Sequence, residues 1–202
     1  MADDQMAIRS VVLAGGLSTR MGRDKALLIY DGEPQVRRVA GMLSRLAPPA
    51  YVSIRATQAK LPAFSGLRLL PDHDSDIGPL AGVLSAFRED DSCAWLVVAV
   101  DMPFLTETSL RLLLQHRDPD AFATAFRNPD IDAPEPVCAI YEPRILPVLL
   151  GAKARGRYTL KVLRDVRVRL VEPAHPQELA NINDPDEYSR AASRGLPPST
   201  SS

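Results

Sequence analysis

At 202 residues the chain is long enough for one domain with a sizeable core and too short for two ordinary ones. Its 24 basic and 25 acidic side chains nearly cancel, so no electrostatic footprint points to a nucleic acid or an anionic membrane. Acids precede the first apolar run and no stretch approaches the length of a membrane span, so a soluble, cytoplasmic protein is expected. Cys93 and Cys138 stand far apart in apolar surroundings, which favours buried free thiols over a disulfide. With His73, His116 and His175 scattered, no spacing suggests a metal site of thiolates and imidazoles.

Residues 1–5 and 195–202 are polar or Pro/Ser-rich and are expected to be disordered tails around one domain, 6–194. Residues 8–13 read as a buried strand that ends in a glycine-rich loop. A helix is expected over 34–46, where Val36, Val39, Ala40, Leu43 and Leu46 recur at helical spacing and Arg37, Arg38 and Arg45 fall outside. Strands follow at 51–54 and 67–70, the second leading into the polar loop PDHDSDIG. Residues 79–88 read as a helix with proline in its first turn. The run WLVVAV at 95–100 is continuously apolar, as in a central strand covered on both faces. Thr106 begins a helix through Leu110, Leu113 and Leu114; further strands are predicted at 121–125, 137–141 and 166–171, and helices at 144–150, 159–164 and 185–192. This alternation argues for an open, mostly parallel α/β sheet, whose ligands sit beyond the carboxyl ends of the strands.

The loop after the first strand, LAGGLSTRMGRDK, has the chemistry of an anion holder. Gly15 and Gly16 let the backbone approach a ligand, and their amides with Arg20 and Lys25 supply donors and countercharge. The alternative is a plain glycine turn with solvated charges. Two common phosphate fingerprints do not fit. A P-loop needs Ser or Thr directly after the lysine, and Lys25 is followed by Ala26. A dinucleotide fingerprint needs G-x-G-x-x-G and an acid at the end of the second strand, where Arg55 stands; an arginine there could face a 2′-phosphate, so a dehydrogenase is weakened rather than excluded.

Three later segments carry further candidates. Asp101 follows the central strand in D-M-P and suits Mg²⁺, with capping of the helix at Thr106 as the alternative. Gly78-Pro79-Leu80-Ala81-Gly82 opens a helix whose amides could meet an anion, although Gly78, Leu80 and Gly82 could equally just pack helix on sheet. Asp74 and Asp76, upstream of it, read as surface acids. In Asn181-Ile182-Asn183-Asp184-Pro185 the two amides point the same way from an extended segment and could reach a ligand's polar edge, phosphates or metal-bound waters; Asp184 also suits the N-cap of the next helix.

Leu13, Ala14, Gly15, Gly16, Ser18, Arg20, Met21, Gly22, Asp24 and Lys25 fall without a gap on the nucleotidyltransferase signature L-A-G-G-x-S-x-R-M-G-x-D-K. Within that superfamily the chain resembles the molybdenum cofactor guanylyltransferases, which join GMP to molybdopterin. The resemblance implies a single Rossmann-like three-layer domain of the nucleotide-diphospho-sugar transferase type. It also implies transfer of GMP from GTP to the terminal phosphate of molybdopterin, with release of diphosphate. Carried over position by position, it assigns catalysis to Arg20, Lys25 and Asp101, and the magnesium ion to Asp101 of D-x-P. The nucleotide falls to Leu13, Ala14, Gly15, Gly16, Lys25, Asp72, Gly78 and Asp101, and the acceptor to Asn181 and Asn183. The implied partners are GTP, molybdopterin, and molybdoenzymes or their chaperones, with no nucleic acid or membrane.

Guanylyl members read L-A-G-G and G-P-L-A-G, as here, and a missing Cβ at Gly15 leaves room for a purine. Three places stand out against the pattern: Glu135-Pro136, where some members carry His-Pro and others Glu-Pro; Ser53-Ile54-Arg55, where some place Asn; and Asn183, where cytidylyl and sugar enzymes often carry Asp. Competing readings are a cytidylyltransferase on the same pterin, a sugar-1-phosphate nucleotidyltransferase, and a GTP-binding regulatory module without turnover.

Overall fold

The computed structural model describes residues 7–16, 21–74, 77–156 and 159–194. The expected tails, 1–5 and 195–202, lie outside the described residues, as do Ser18, Thr19, Arg20 and Asp76. The chain runs β1 (Ile8–Leu13), β2 (Ile29–Tyr30), β3 (Glu33–Pro34), α1 (Gln35–Leu46), β4 (Ala50–Ile54), β5 (Arg68–Pro71), α2 (Pro79–Glu89) and β6 (Ala94–Ala99). It continues with α3 (Glu107–Gln115), β7 (Ala123–Asn128), β8 (Ala133–Tyr141), α4 (Leu146–Ala154), α5 (Thr159–Arg164), β9 (Val168–Val171) and α6 (Pro185–Arg194).

Among the described residues seven strands form one sheet in the order β5-β4-β1-β6-β8-β7-β9. All pair in parallel except β8, which runs against both β6 and β7. The six residues of β6 are all buried, and its alternation splits them between two cores. Leu96 and Val98 meet Val36, Val39 and Leu43 of α1 and Leu110 and Leu113 of α3. Trp95 and Val97 face Leu80, Leu84 and Phe87 of α2 and Leu149 of α4 on the other side. Helices on both faces of a central sheet make three layers.

The predicted strands and helices are present, with shifted ends where tertiary pairing overrides local pattern. β8 begins at Ala133 rather than at 137, because a register shift in β7 between Ala125 and Arg127 lets Asn128 pair with Ala133. Two prolines at 134 and 136 mask that start in the sequence. The hairpin β2–β3 was not predicted; its signal is Asp31-Gly32, both at positive φ (52° and 81°), a pair suited to a two-residue hairpin turn. A Cβ at Gly82 would overlap Ser53 Oγ and Leu13 Cδ2, so at this position the glycine does serve to pack α2 against the sheet. Cys93 and Cys138 are buried free thiols, and burial pushes both upward in pKa, Cys93 to about 11. No helix among the described residues is long and apolar enough to cross a membrane.

The parallel strands β1, β4, β5 and β6 deliver their carboxyl ends to one edge of the sheet. Because β8 is reversed, its beginning reaches that same edge. One cavity of about 670 Å³ opens there.

Candidate active site

The cavity is lined by every described residue predicted for the site: Leu13, Ala14, Gly15 and Gly16 after β1, Lys25, Asp72 and Gly78, Asp101 after β6, and Asn181 and Asn183 before α6. Arg20 lies outside the described residues. At one end of the cavity Lys25 is held in place from below. Asp24 caps a single helical turn, Lys25–Leu27, its carboxylate accepting the Ala26 N–H at 3.0 Å. From that turn the Lys25 ammonium donates to Asp101 Oδ2 and to Asn183 Oδ1, each at 2.8 Å. The cation thus reaches a partner 158 positions away in the chain.

Backbone bonds set the two partners of Lys25. The Ile182 N–H donates to the Asp101 carbonyl at 2.9 Å, which lays the N-I-N segment alongside the end of β6. Downstream, Asp184 Oδ1 accepts the Glu187 N–H at 2.8 Å, while the Glu187 carboxylate accepts the Asn183 N–H at 2.6 Å. Asp184 therefore does cap α6, and the same cap secures Asn183. Upstream, buried Glu178 accepts from the Thr106 N–H and hydroxyl and from the Ser109 hydroxyl at the start of α3. Thr106 and Glu178 thereby fill the capping role considered for Asp101, whose side chain turns to Lys25 instead.

The Asn181 side-chain oxygen is buried with no hydrogen-bond partner among the described residues, on a residue that lines the cavity. A buried acceptor of this kind is costly unless a ligand satisfies it. Among the described residues no three His, Cys, Asp or Glu side chains gather into a metal cage. Asp101, Asn181 and Asn183 nevertheless bring hard oxygen donors to the cavity lining. A small divalent cation needs no more protein than this when phosphate oxygens and water complete its shell.

Elsewhere on the cavity wall, Asp72 has no cation in hydrogen-bond contact among the described residues. Ser53 Oγ donates to Asp72 Oδ1 at 2.6 Å, and Ser85 Oγ approaches the same oxygen at 3.4 Å. Burial raises the pKa of this carboxyl above its ordinary value, against the lowering effect of the two hydroxyls. The reason for a glycine at 15 also becomes more specific. A Cβ there would overlap Asp72 Oδ2, so the space is already claimed by a carboxylate rather than left open for a base. Gly78 sits at φ +58°, a conformation suited to glycine, immediately before α2. Asp74 is not the solvated surface acid expected from the sequence: it lines the cavity and is clasped by Lys153 of α4 at 2.5 Å and Arg88 of α2 at 3.1 Å, which lower its pKa.

Positions 53–55 and 135 also resolve. Ser53 orients Asp72, and Arg55 turns back onto the glycine loop, donating to the Gly16 carbonyl at 2.8 Å and to Asp24 at 3.1 Å. Glu135 lies at the site edge because β8 is reversed, yet its carboxylate is spent inside the β7–β8 hairpin on Asn128 Nδ2 and the Val137 N–H. Burial raises its pKa, and the charge of Asp101 adds to the rise. Gln58 and Glu178 escaped sequence reading altogether, since neither belongs to a motif that a single chain makes visible.

Residues 10–174 match the MobA-like NTP transferase domain, which is most of the chain. The chain belongs to that family. It is therefore a nucleotidyltransferase, an enzyme class that acts on nucleotides and generally uses a divalent metal. It is 32% identical, over 89% of its length and 92% of the relative's, to a molybdenum cofactor guanylyltransferase from Xanthomonas euvesicatoria. It is 31% identical, over 91% of its length, to a molybdenum cofactor biosynthesis bifunctional protein from Synechocystis sp., of which it spans about half, 53%. The fold superposes on the crystal structure of molybdopterin-guanine dinucleotide biosynthesis protein A from Archaeoglobus fulgidus with a TM-score of 0.76 at 24% identity, covering 92% of this chain and 97% of that one.

Proposed function

We propose that this enzyme transfers GMP from GTP to the terminal phosphate of molybdopterin, releasing diphosphate and forming molybdopterin guanine dinucleotide. The observation that carries the reading is the meeting of Lys25, Asp101 and Asn183 at 2.8 Å contacts, on a cavity also lined by the glycine loop. The relatives named molybdenum cofactor guanylyltransferase support the choice of substrates.

An oxygen of the acceptor phosphate attacks the α-phosphorus, the bond from that phosphorus to the bridging oxygen breaks, and diphosphate leaves with the electron pair. The nucleophile is already ionised near neutral pH, so the site has to align a polyanion and neutralise it rather than move a proton. Lys25 and Arg20 neutralise the α-phosphate and the leaving diphosphate. The Gly15 and Gly16 backbone receives the phosphates, and Leu13, Ala14 and Gly78 wall the nucleotide end. Asp101, with the Asn181 and Asn183 oxygens, would hold Mg²⁺, which when bound offsets phosphate charge and orients the oxygens. Asn181 and Asn183 also face the acceptor.

Asp72 accounts for the base. Guanine presents two adjacent N–H donors on one edge, and a carboxylate accepts from both; adenine lacks the ring donor and cytosine is a smaller ring. The desolvated position of Asp72 strengthens that discrimination, because an unmatched base leaves the charge buried and unpaired.

The deciding experiment offers GTP, CTP, ATP and UTP separately with magnesium and molybdenum cofactor and measures diphosphate release. Release with GTP alone is expected. Release with CTP alone would overturn the base assignment, and tight GTP binding with no release would favour a regulatory module.

A further inference from the structure

Three polar side chains interlock beside the glycine loop: Arg55, which also lines the cavity, and Gln58 and Asp24, which do not. Gln58 is 1% exposed and uses both ends of its amide. Its NH₂ donates to the Ala14 carbonyl at 3.0 Å and to Asp24 Oδ2 at 2.6 Å, and its oxygen accepts the Arg55 N–H at 2.8 Å. Arg55 repeats the pattern with one nitrogen on the Gly16 carbonyl and another on Asp24 Oδ2. The other oxygen of Asp24 caps the turn that carries Lys25. One unit, 55–58, therefore grips the glycine loop by two carbonyls and the Lys25 turn by one carboxylate.

A trans peptide points its N–H opposite to its carbonyl. With the Ala14 carbonyl drawn onto Gln58, the Gly15 N–H is turned the other way, towards the cavity that Ala14 and Gly15 line. The same amide, through Asp24, fixes where the Lys25 ammonium starts. Without the brace the loop would have to be ordered by the nucleotide itself, at the expense of binding energy otherwise available to the transition state.

We infer that Gln58, assisted by Arg55, is a positioning residue that pre-sets the Gly15 amide and Lys25 for the phosphates of the nucleotide. The inference rests on the nucleotidyltransferase reading above and assigns 55–58 to phosphate alignment rather than to base contact. Such a residue acts on phosphates and leaves base binding alone, and this separates it from a residue that only supports the fold.

The test replaces Gln58 by leucine, which keeps volume and removes every hydrogen bond, and Arg55 by lysine, which keeps the charge but cannot reach Asp24 and Gly16 together. The readouts are kcat for diphosphate release with GTP and calorimetric affinities for GTP and for guanosine, which has no phosphates. Gln58→Leu is expected to lower kcat by about thirtyfold and weaken GTP several-fold with guanosine affinity unchanged. Arg55→Lys should follow the same pattern at about fivefold in kcat. A kcat within twofold of the parent, or equal losses for guanosine and GTP, overturns the inference. If Gln58→Leu does not fold, the Arg55→Lys comparison decides it. A parent enzyme that releases no diphosphate would sink the transfer reaction, while the GTP-against-guanosine comparison would still judge the brace.

Discussion

Two aspartates face the same cavity, one just after β5 and one after β6, and their surroundings give them opposite characters. Asp101 is paired with the Lys25 ammonium at 2.8 Å, and that ammonium also donates to Asn183. Asp72 is desolvated, held by serine hydroxyls and pressed against Gly15, and its carboxyl is raised in pKa by that burial. A paired carboxylate beside a lysine suits a polyphosphate and its cation, whereas a lone desolvated one suits a neutral ring with N–H donors. Residue type alone would not separate them. The partner set does.

The sharpest break in this contrast comes at the phosphate end. Lys25→Ala should lower kcat by about 10²–10³, or about 3–4 kcal/mol of transition-state stabilisation, with the circular-dichroism spectrum unchanged. Near-normal turnover would remove Lys25 from catalysis. At the base end the effect should be smaller and of a different kind. Asp72→Asn should raise KM for GTP by about tenfold to a hundredfold while kcat holds, because a charged hydrogen-bond acceptor is worth about 1.5–3 kcal/mol. A loss in kcat with KM unchanged would merge the two ends into one.

Stability supplies an independent reading of Asp72. Its folded carboxyl lies above the unfolded value of 3.8, so the folded state takes up the proton first as pH falls. Ionised and buried, Asp72 costs stability at neutral pH; that cost disappears as pH drops through the raised value towards 3.8. Asp72→Asn should therefore melt at or above the parent temperature at pH 7, and this advantage should shrink in acid. A variant that melts lower at pH 7 contradicts the assignment.

Gly15→Ala should weaken GTP by about tenfold by displacing Asp72, and a double-mutant cycle exposes the cause. Combined with Asp72→Ala, the same methyl should cost little further; full additivity would mean that the glycine acts elsewhere. The smallest effect belongs to the scaffold of the phosphate end. Asp184→Ala removes the cap of α6 and should lower Tm by about 2–4 °C, at about 1 kcal/mol, with kcat within a few-fold of the parent.

Much of this site was legible before the fold. The glycine loop, D-M-P, G-P-L-A-G and N-I-N are local strings whose residue types already state their chemistry, and strand–helix alternation sends their loops to one edge of a sheet. What stayed hidden was reached only through space. Asp74 reads as one acid among several until Lys153 and Arg88 close on it from two helices. Glu135 precedes the strand predicted at 137–141, an entry end that would lie away from the carboxyl edge until that strand proves to run backwards.

By itself, then, the sequence determined the α/β class, the glycine-rich loop and the list of groups available to it, because backbone periodicity and side-chain chemistry are local properties. Only the tertiary structure decided which group each would meet. Hydrogen bonds spanning 158 residues, as from Lys25 to Asn183, or 34, as from Gln58 to Asp24, leave no trace in neighbouring positions. They exist because the sheet order gathers loops from separate parts of the chain at one edge, where side chains meet at 2.8 and 2.6 Å, and in that setting two aspartates of one chemistry acquire two different environments.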